Sequence, residues 1–226
     1  MTATAIILTC ERDKWLSDIC AWGVTNLWPG VEPLVLMDTD RTTEAPLPPD
    51  IREMVRKMPV LRRVFDVPFI SPTEDVYSLD SDCLIYSHPD DFAVPAYQGV
   101  AGRDPEMGLR VWKALGYGFP ITKPRFCGGM YSYKKSDFLG MKDLAIEYLR
   151  RCRLMEVDGG RWPGVVCEQS LIAGMWHLLY RDNPLEYVRY PINVQTGAQV
   201  IFHISDGKWT EKCSGYVAAY KKAYKC

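Results

Sequence analysis

The sequence predicts an α/β domain in which a mixed, mainly parallel sheet is flanked by helices. Apolar runs of strand length alternate with amphipathic stretches of helix length, which is the pattern of β–α–β units. The first three predicted strands each end in polar residues, and in such sheets ligands bind beyond the carboxyl ends of the strands. With 226 residues and no internal repeat, the chain is expected to form one continuous domain.

The first half of the chain supplies the most regular elements. Unbroken apolar runs indicate strands that are covered on both faces, and apolar residues three and four apart indicate helices. In chain order we expect a strand over residues 5–9, a helix over 15–27, a strand over 33–38 and a helix over 50–57. Trp28-Pro29-Gly30 ends the first helix, and the Thr- and Pro-rich residues 41–50 are expected to form a loop.

Two aspartates interrupt the next apolar run, a strand expected over residues 75–86. Because side chains alternate between the faces of a strand, Asp80 and Asp82 are expected on the same side. Two carboxylates held this close in a buried run are costly without a cation between them, and oxygen ligands suit Mn²⁺ or Mg²⁺. The alternative is a turn in which the Asp side chains bond their own backbone.

The second half of the chain is less regular. We expect strands over residues 97–103, 126–133 and 199–204, helices over 137–153 and 168–179, and loops over 108–123 and 158–164. Gly128 and Gly129 lie within the middle one of these strands, where the missing side chains permit close approach of a ligand or another backbone segment.

Composition and charge argue against several classes of protein. The net charge of −1 gives no electrostatic basis for wholesale binding to nucleic acid or anionic membranes. No apolar stretch approaches the length of a transmembrane helix, and the N-terminal run is too short and lacks the basic residues of a signal peptide. The eight cysteines include no Cys-x-x-Cys pair, so we expect reduced thiols and a cytoplasmic protein.

A metal held by two aspartates usually needs a further protein ligand or several waters, and the chain has three histidines. His203 lies at the last predicted strand and opens a polar turn, and a neutral imidazole suits Mn²⁺ better than Mg²⁺. His177 lies within an apolar helical stretch and is interpreted as a core residue. His88 is interpreted as a surface turn residue.

Residues 78–84, which carry the paired aspartates, resemble the Asp-x-Asp motif of nucleotide-sugar glycosyltransferases with the GT-A fold. Within that group they are most similar to the glycogenin-like and lipopolysaccharide-galactosyltransferase-like enzymes. Further features resemble the family in the same order along residues 5–209: Arg63 upstream of the aspartates, residues 126–130, residues 168–171, and His203 with Lys208 and Trp209. The chain departs from the family at Cys127, where an asparagine is usual, and in the last motif, which is one residue shorter and lacks the proline.

The resemblance implies a set of site residues. Asp80, Asp82 and His203 would hold Mn²⁺ (or Mg²⁺). Arg63 and Lys208 would contact the diphosphate of the donor. Glu168 is the preferred acidic residue near the reacting centre, and Asp104 is the other candidate. The remaining donor contacts would come from Thr9, Asp38, Ser81, Gly128 and Gly129.

The activity implied by the resemblance is transfer of a hexose from a UDP-sugar to a hydroxyl acceptor. The resemblance favours retention of the anomeric configuration, and inversion, with Glu168 or Asp104 as general base, remains open. Residues 1–92 would form the donor half and residues 93–226 the acceptor half. A saccharide, a protein side chain and a modified DNA base all remain open as acceptors. Transfer develops positive charge at the anomeric carbon and negative charge on the diphosphate, which explains why acids, a metal and basic residues occur together.

Other interpretations remain open. Sugar-nucleotide pyrophosphorylases also hold a metal on an α/β sheet, but they carry a Gly-rich phosphate loop after the first strand, and residues 9–13 contain no glycine. A non-catalytic nucleotide- or carbohydrate-binding module is the second alternative. Several residues also have plainer possible roles: Arg63 as a solvated surface residue, Glu168 as a helix N-cap, and Tyr117, Phe119, Trp162 and Trp176 as core residues and not as a sugar platform.

Overall fold

A computed structural model of the protein describes residues 3–38, 43–86, 94–100, 106–118, 125–156, 164–180, 189–191, 201–203 and 211–225. For some of these, residues 201–203 among them, it describes the backbone alone. The strands are β1 (Ala3–Thr9), β2 (Val31–Met37), β3 (Asp75–Asp80), β4 (Cys83–Ile85), β5 (Ala96–Val100), β6 (Arg125–Lys134), β7 (Arg189–Pro191) and β8 (Ile201–His203). The helices are α1 (Lys14–Leu27), α2 (Pro49–Lys57), α3 (Arg62–Ile70), α4 (Glu106–Ala114), α5 (Lys135–Gly140), α6 (Lys142–Glu156), α7 (Gly164–Tyr180) and α8 (Glu211–Tyr224).

Six of the described strands form one mixed sheet in the order β2-β1-β3-β6-β5-β7. Strand β1 runs parallel to β2 and β3, and β5 runs parallel to β7, whereas β6 is antiparallel to both β3 and β5. The predicted α/β class, with a mixed and mainly parallel sheet flanked by helices, is confirmed.

Strand β1 shows why the sheet is covered on both faces. All seven of its residues are buried, as expected for an unbroken apolar strand between two layers of helices. Ile6 packs in one core cluster with Phe65 of α3 and Leu171 of α7, whereas Ile7 packs in a second cluster with Cys20 of α1. Burial of each of these isoleucine side chains contributes about 2 kcal/mol, so both layers help to fix the strand.

The predicted strand over residues 75–86 is broken at the paired aspartates. Strand β3 ends at Asp80, Ser81 and Asp82 form a turn, and β4 begins at Cys83. Strand β4 leaves the main sheet and pairs with β8 in a separate antiparallel sheet. Because the chain turns between the two carboxylates, the expected continuous strand was wrong, and the alternation of side chains along one strand no longer determines how Asp80 and Asp82 face each other.

Several other elements differ from the sequence prediction. The segment that contains α4 was expected to be a loop, and one expected helix is divided at Met141 into α5 and α6, directly after Gly140. Helix α3 was not predicted, because Pro68 within it obscures the helical pattern. Helix α8 was not predicted either, although it packs through Val217 and Tyr220 against Leu16 of α1.

The longest helix in the described ranges, α7, has 17 residues. None of the helices in those ranges combines the length and the apolar character needed to cross a membrane.

Candidate functional site

Arg63 joins three elements at the carboxyl end of β3. It lies in the first turn of α3, and its side chain is buried, with the residue 7% exposed. Its Nη2 forms an ion pair with the carboxylate of Asp80, and its Nη1 donates a hydrogen bond to the carbonyl oxygen of Gly128 over 3.0 Å. The same Nη1 lies 3.5 Å from Oε1 of Glu168. Arg63 is therefore not the solvated surface residue that was the alternative interpretation.

Glu168 is fully buried in α7. The helix begins at Gly164, four residues earlier, so Glu168 is not its N-cap. Burial raises the pKa of the carboxyl group to about 7, against the opposing effect of Arg63. Removal from water penalises the charged form more than a cation at the long distance of 3.5 Å favours it. The side chain can therefore gain and lose a proton near neutral pH.

Two atoms of this cluster have unsatisfied hydrogen-bonding capacity. Among the described residues, neither Nε of Arg63 nor Oε2 of Glu168 has a hydrogen-bond partner, although both atoms are buried. Buried polar atoms are nearly always paired in proteins, so a donor and an acceptor left over in one cluster call for an explanation. A polar ligand bound between α3 and α7 would explain both atoms, because it could accept from Nε of Arg63 and donate to Oε2 of Glu168.

Gly128 allows β6 and α7 to approach closely. A Cβ atom at this position would lie 3.1 Å from Cγ of Gln169 and 3.6 Å from both carboxylate oxygens of Glu168. The space of the missing side chain is therefore used by α7. The carbonyl oxygen of the neighbouring Gly129 accepts a hydrogen bond from Sγ of Cys83 over 3.4 Å, which links β6 to the start of β4.

Asp82 lies in the turn after β3 and is 1% exposed, and its neighbour Ser81 is also buried. Its charge adds to the effect of burial, which is the main cause that raises the pKa of the Cys20 thiol. Asp82 is therefore close to α1, whereas Asp80 pairs with Arg63 of α3. The two aspartates thus meet different helices on either side of the turn.

The backbone places His203 beside the aspartate turn. In the pairing of β4 with β8, His203 lies opposite Cys83, the residue that follows Asp82. Within the side chains that are described, no three His, Cys, Asp or Glu groups form a possible metal site, and the His203 side chain is not among those described. The donor types nevertheless fit the expected ion, because carboxylate oxygens together with an imidazole nitrogen suit Mn²⁺.

Thr9 and Asp38 lie on the same edge of the sheet as Asp80. The register pairs Thr9 with Met37 and Leu8 with Asp80, and the backbone N–H of Asp38 donates to the carbonyl oxygen of Thr9 over 3.0 Å. The ends of β1, β2 and β3 therefore lie side by side, as the sequence predicts for a ligand-binding edge.

The remaining predicted residues divide into two groups. Trp176 is fully buried and donates from Nε1 to the carbonyl oxygen of Ser132 over 3.0 Å, and the Tyr117 ring packs edge-on against Trp112. Both contacts favour core roles over a sugar platform. Six residues named from the sequence lie outside the described ranges: His88, Asp104, Phe119, Trp162, Lys208 and Trp209.

Sequence reasoning missed a second buried charge pair beside Arg63. Nε of Arg62 donates to Oδ2 of Asp66 over 2.6 Å, and both side chains are almost completely buried. The signal was present as opposite charges four residues apart, a spacing that places them on one face of a helix. It was not used because α3 itself was not predicted.

No protein-family model matches the chain, and no curated protein matches it. Among solved structures, it is similar to two crystal structures of the glycosyltransferase GlyE from Streptococcus pneumoniae TIGR4, the second of them the apo form. The TM-scores are 0.47 and 0.48, and the sequences are 10% identical in both cases. Each alignment covers 100% of this chain and 64% of the other. The chain therefore spans 64% of the length of these glycosyltransferase structures.

Proposed function

We propose that the protein is a metal-dependent glycosyltransferase with the GT-A fold, which moves a hexose from a UDP-sugar to a hydroxyl acceptor. The observation that carries the proposal is the buried contact of Arg63 with Asp80, Gly128 and Glu168 at the carboxyl edge of the sheet. It places a fixed positive charge between two acids at the edge where ligands of such sheets bind.

Arg63 supplies positive charge where the reaction develops negative charge. Departure of a nucleoside diphosphate leaves negative charge on the diphosphate oxygens. A hydrogen-bond donor that is already oriented stabilises this charge without rearrangement. Arg63 is held by β3, β6 and α7 at once, and its Nε has no hydrogen-bond partner in the described part of the chain. A diphosphate oxygen is a suitable partner for that N–H group.

Asp80, Asp82 and His203 would hold the metal. Their positions around the turn and opposite it support this set, and their donor types suit Mn²⁺. When bound, Mn²⁺ supplies Lewis-acid stabilisation of the departing diphosphate. Asp80 also orients Arg63, so one carboxylate would serve both positive groups.

Glu168 is the acid that acts near the reacting carbon. Its pKa of about 7 suits a group that must be ionised in a working enzyme and still exchange protons. In a retaining reaction the carboxylate stabilises the positive charge at the anomeric carbon, and in an inverting reaction it accepts the proton of the acceptor hydroxyl. We favour retention, because the sequence resembles retaining families.

The nucleotide would bind along the ends of β1 and β2. Thr9 is buried and Asp38 is half-buried, and Asp38 offers oxygen atoms for a ribose hydroxyl or a base N–H group. Ser81, Gly128, Gly129 and Lys208 complete the proposed donor set. The acceptor class stays open among a saccharide, a protein and a modified DNA base.

Two observations weigh against the alternative functions. After β1 the chain forms a 3₁₀ turn over Glu11–Asp13, where a sugar-nucleotide pyrophosphorylase would carry its Gly-rich phosphate loop. A buried carboxyl group whose pKa is raised beside a charged partner is more common in active sites than elsewhere, so Glu168 favours an enzyme over a binding module without catalysis. The enzyme is therefore the better-supported proposal.

Calorimetric titration with UDP tests the proposal. We expect binding in the presence of Mn²⁺, little binding after chelation with EDTA, and loss of binding in Asp82→Ala. Asp18→Ala is the matched control, because Asp18 is exposed on α1 and should leave binding unchanged. Absence of UDP binding by the wild-type protein with Mn²⁺, next to tight binding of another class of ligand, would contradict the donor assignment.

A further inference from the structure

The carboxylate of Asp66 gathers four hydrogen bonds in the protein interior. The residue is fully buried in α3. Its Oδ1 accepts from Oγ1 of Thr43 over 2.5 Å, from N of Glu44 over 3.0 Å and from N of Ala45 over 3.1 Å, and its Oδ2 accepts from Nε of Arg62 over 2.6 Å. Three of these hydrogen bonds attach residues 43–45 to α3, in addition to the packing of Ala45 in the same core cluster as Phe65.

Arg62 extends this attachment to the end of β2. Its side chain is 2% exposed, and Nη1 donates to the carbonyl oxygen of Met37 over 2.6 Å. Met37 is the last residue of β2 and directly precedes Asp38, the proposed nucleotide contact. One ion pair therefore connects α3, the end of β2 and residues 43–45.

Helix α3 is itself fixed to the catalytic side of the site. The next residue along the chain, Arg63, contacts Asp80, Gly128 and Glu168. Consecutive residues of a helix point in directions about 100° apart, so Arg62 and Arg63 reach different parts of the same sheet edge. The helix therefore carries the proposed diphosphate contact, Arg63, and is joined through Arg62 to the end of β2, next to the proposed nucleotide contact, Asp38.

Stability alone is a poor explanation for this pair. Removal of two charges from water costs several kcal/mol for each ion, and apolar residues of similar volume often replace buried pairs without loss of stability. What a hydrogen-bonded pair does supply is a defined direction and distance between the elements that it joins. The elements joined here are those that carry Arg63 and Asp38.

We infer that Asp66 is a positioning residue, which acts through Arg62 and residues 43–45 to hold the nucleotide-binding end of β2 against α3. The inference rests on the proposed function, because the ligand positioned in this way is the UDP part of the donor. Asp66 itself does not touch the substrate. Loss of its charge would weaken binding of the nucleotide more than it slows the chemical step.

Asp66→Asn and Arg62→Lys separate positioning from folding. The asparagine keeps one acceptor oxygen for residues 43–45 but presents an amide N–H group to Arg62. The ion pair that fixes Arg62 beside Met37 is therefore lost. Lysine can still pair with Asp66, but it lacks the planar fork that reaches both Asp66 and Met37. In both variants we expect the Kd for UDP with Mn²⁺ to rise about tenfold, as loss of a charged hydrogen bond predicts, with kcat for UDP-sugar hydrolysis within about twofold of wild type.

Hydrogen exchange supplies a readout that does not depend on the ligand. Amides in a peptide that spans residues 37–45 should exchange at least about tenfold faster in both variants. Asp75→Asn is the matched control, because Asp75 pairs with Lys134 at the opposite end of β3. It should leave both the Kd and the exchange of residues 37–45 unchanged.

The two proposals fail in different ways. A wild-type protein that binds no UDP would overturn the proposed function and with it the role of Asp66. Wild-type binding together with an unchanged Kd, or unchanged exchange over residues 37–45, in the variants would overturn the inference alone. If Asp66→Asn does not fold, Arg62→Lys decides the question by the same measurements.

Discussion

Nη1 of Arg63 lies 3.5 Å from Oε1 of Glu168, while Nη2 of the same guanidinium pairs with Asp80. The arginine is therefore shared between an acid at the end of β3 and an acid in α7. The exchange of protons at Glu168 and the orientation of Arg63 are coupled through this contact, because the positive charge opposes the effect of burial on the Glu168 pKa. A change at either residue is therefore expected to affect the other.

Arg63→Lys is expected to lower kcat by about 10²–10³-fold. This is the typical effect of losing one oriented hydrogen-bond donor where negative charge develops in the reaction. A lysine keeps the charge but cannot bond Asp80 and Gly128 at the same time. Steady-state hydrolysis of a UDP-sugar with Mn²⁺ measures the effect. Arg150→Lys serves as control, because Arg150 forms an exposed ion pair with Asp50. Equal rates for wild type and Arg63→Lys would exclude the proposed role.

The rate is expected to rise with pH up to about 7. The ionised form of Glu168 is the active form in both the retaining and the inverting scheme, so kcat/KM should fall about tenfold for each pH unit below the pKa. A profile between about pH 5 and pH 9 measures this. Glu147→Gln, at an exposed position of α6, should preserve the profile. A rate that does not change over this range would remove Glu168 from the mechanism.

Glu168→Gln is expected to stabilise the fold above about pH 7 while it abolishes most of the activity. The pKa of the Glu168 carboxyl group is 4.5 as its ordinary value and about 7 in the folded protein. Between these two pH values the folded state therefore binds more protons than the unfolded state. The free energy of unfolding of the wild type therefore falls as the pH rises through this window, by up to about 3 kcal/mol. Glutamine carries no charge and avoids this loss.

Denaturant unfolding of both proteins near pH 4 and pH 8 tests that sign. The gain from the substitution should be present at the higher pH and absent at the lower one. A glutamine variant that is less stable than wild type at pH 8 would show that the charged carboxylate is stabilised in the folded state, contrary to the raised pKa.

Two glycine substitutions should have opposite effects on stability. A Cβ atom at Gly174 of α7 would lie 2.1 Å from the ring of Trp112, whereas nothing lies within 4 Å of such an atom at Gly215 of α8. Gly174→Ala should therefore cost about 2 kcal/mol or more through overpacking. Gly215→Ala should add about 0.5–1 kcal/mol, because alanine is the better helix former. Thermal unfolding compares the two, and similar shifts for both would contradict the packing of α4 on α7.

The alternation of apolar runs and helical spacings was sufficient to predict the α/β class and most helix and strand positions. These patterns follow from which faces are buried. They are clear in β1, where every residue is buried, and in α2, where Ile51, Met54 and Val55 form the buried face. The turn at Ser81 and Asp82 was only the alternative interpretation of the sequence, because a short polar interruption has the same appearance in a continuous strand and in a chain that changes sheets. Only the pairing of Cys83 with His203 distinguishes the two.

The candidate site was predicted in part for a related reason. Single residues such as Arg63 and Glu168 stood out by type and order along the chain, but their contact spans 105 positions and no local pattern encodes it. The Arg62–Asp66 pair depends in addition on a helix whose internal proline hides its period. Contacts between elements that are distant along the chain are thus revealed only by the structure, whereas most of the helices and strands that carry them can be predicted from the sequence.

Turnover of nucleotide sugars by the purified protein is the most direct test of the proposed glycosyl transfer. A screen of nucleotide sugars with Mn²⁺ should show slow release of UDP from one UDP-sugar, with the activity lost in Asp82→Ala. The anomeric configuration of the product then separates retention, which we expect, from inversion. No hydrolysis or transfer from any nucleotide sugar, by a folded protein with Mn²⁺ present, would contradict the proposed function.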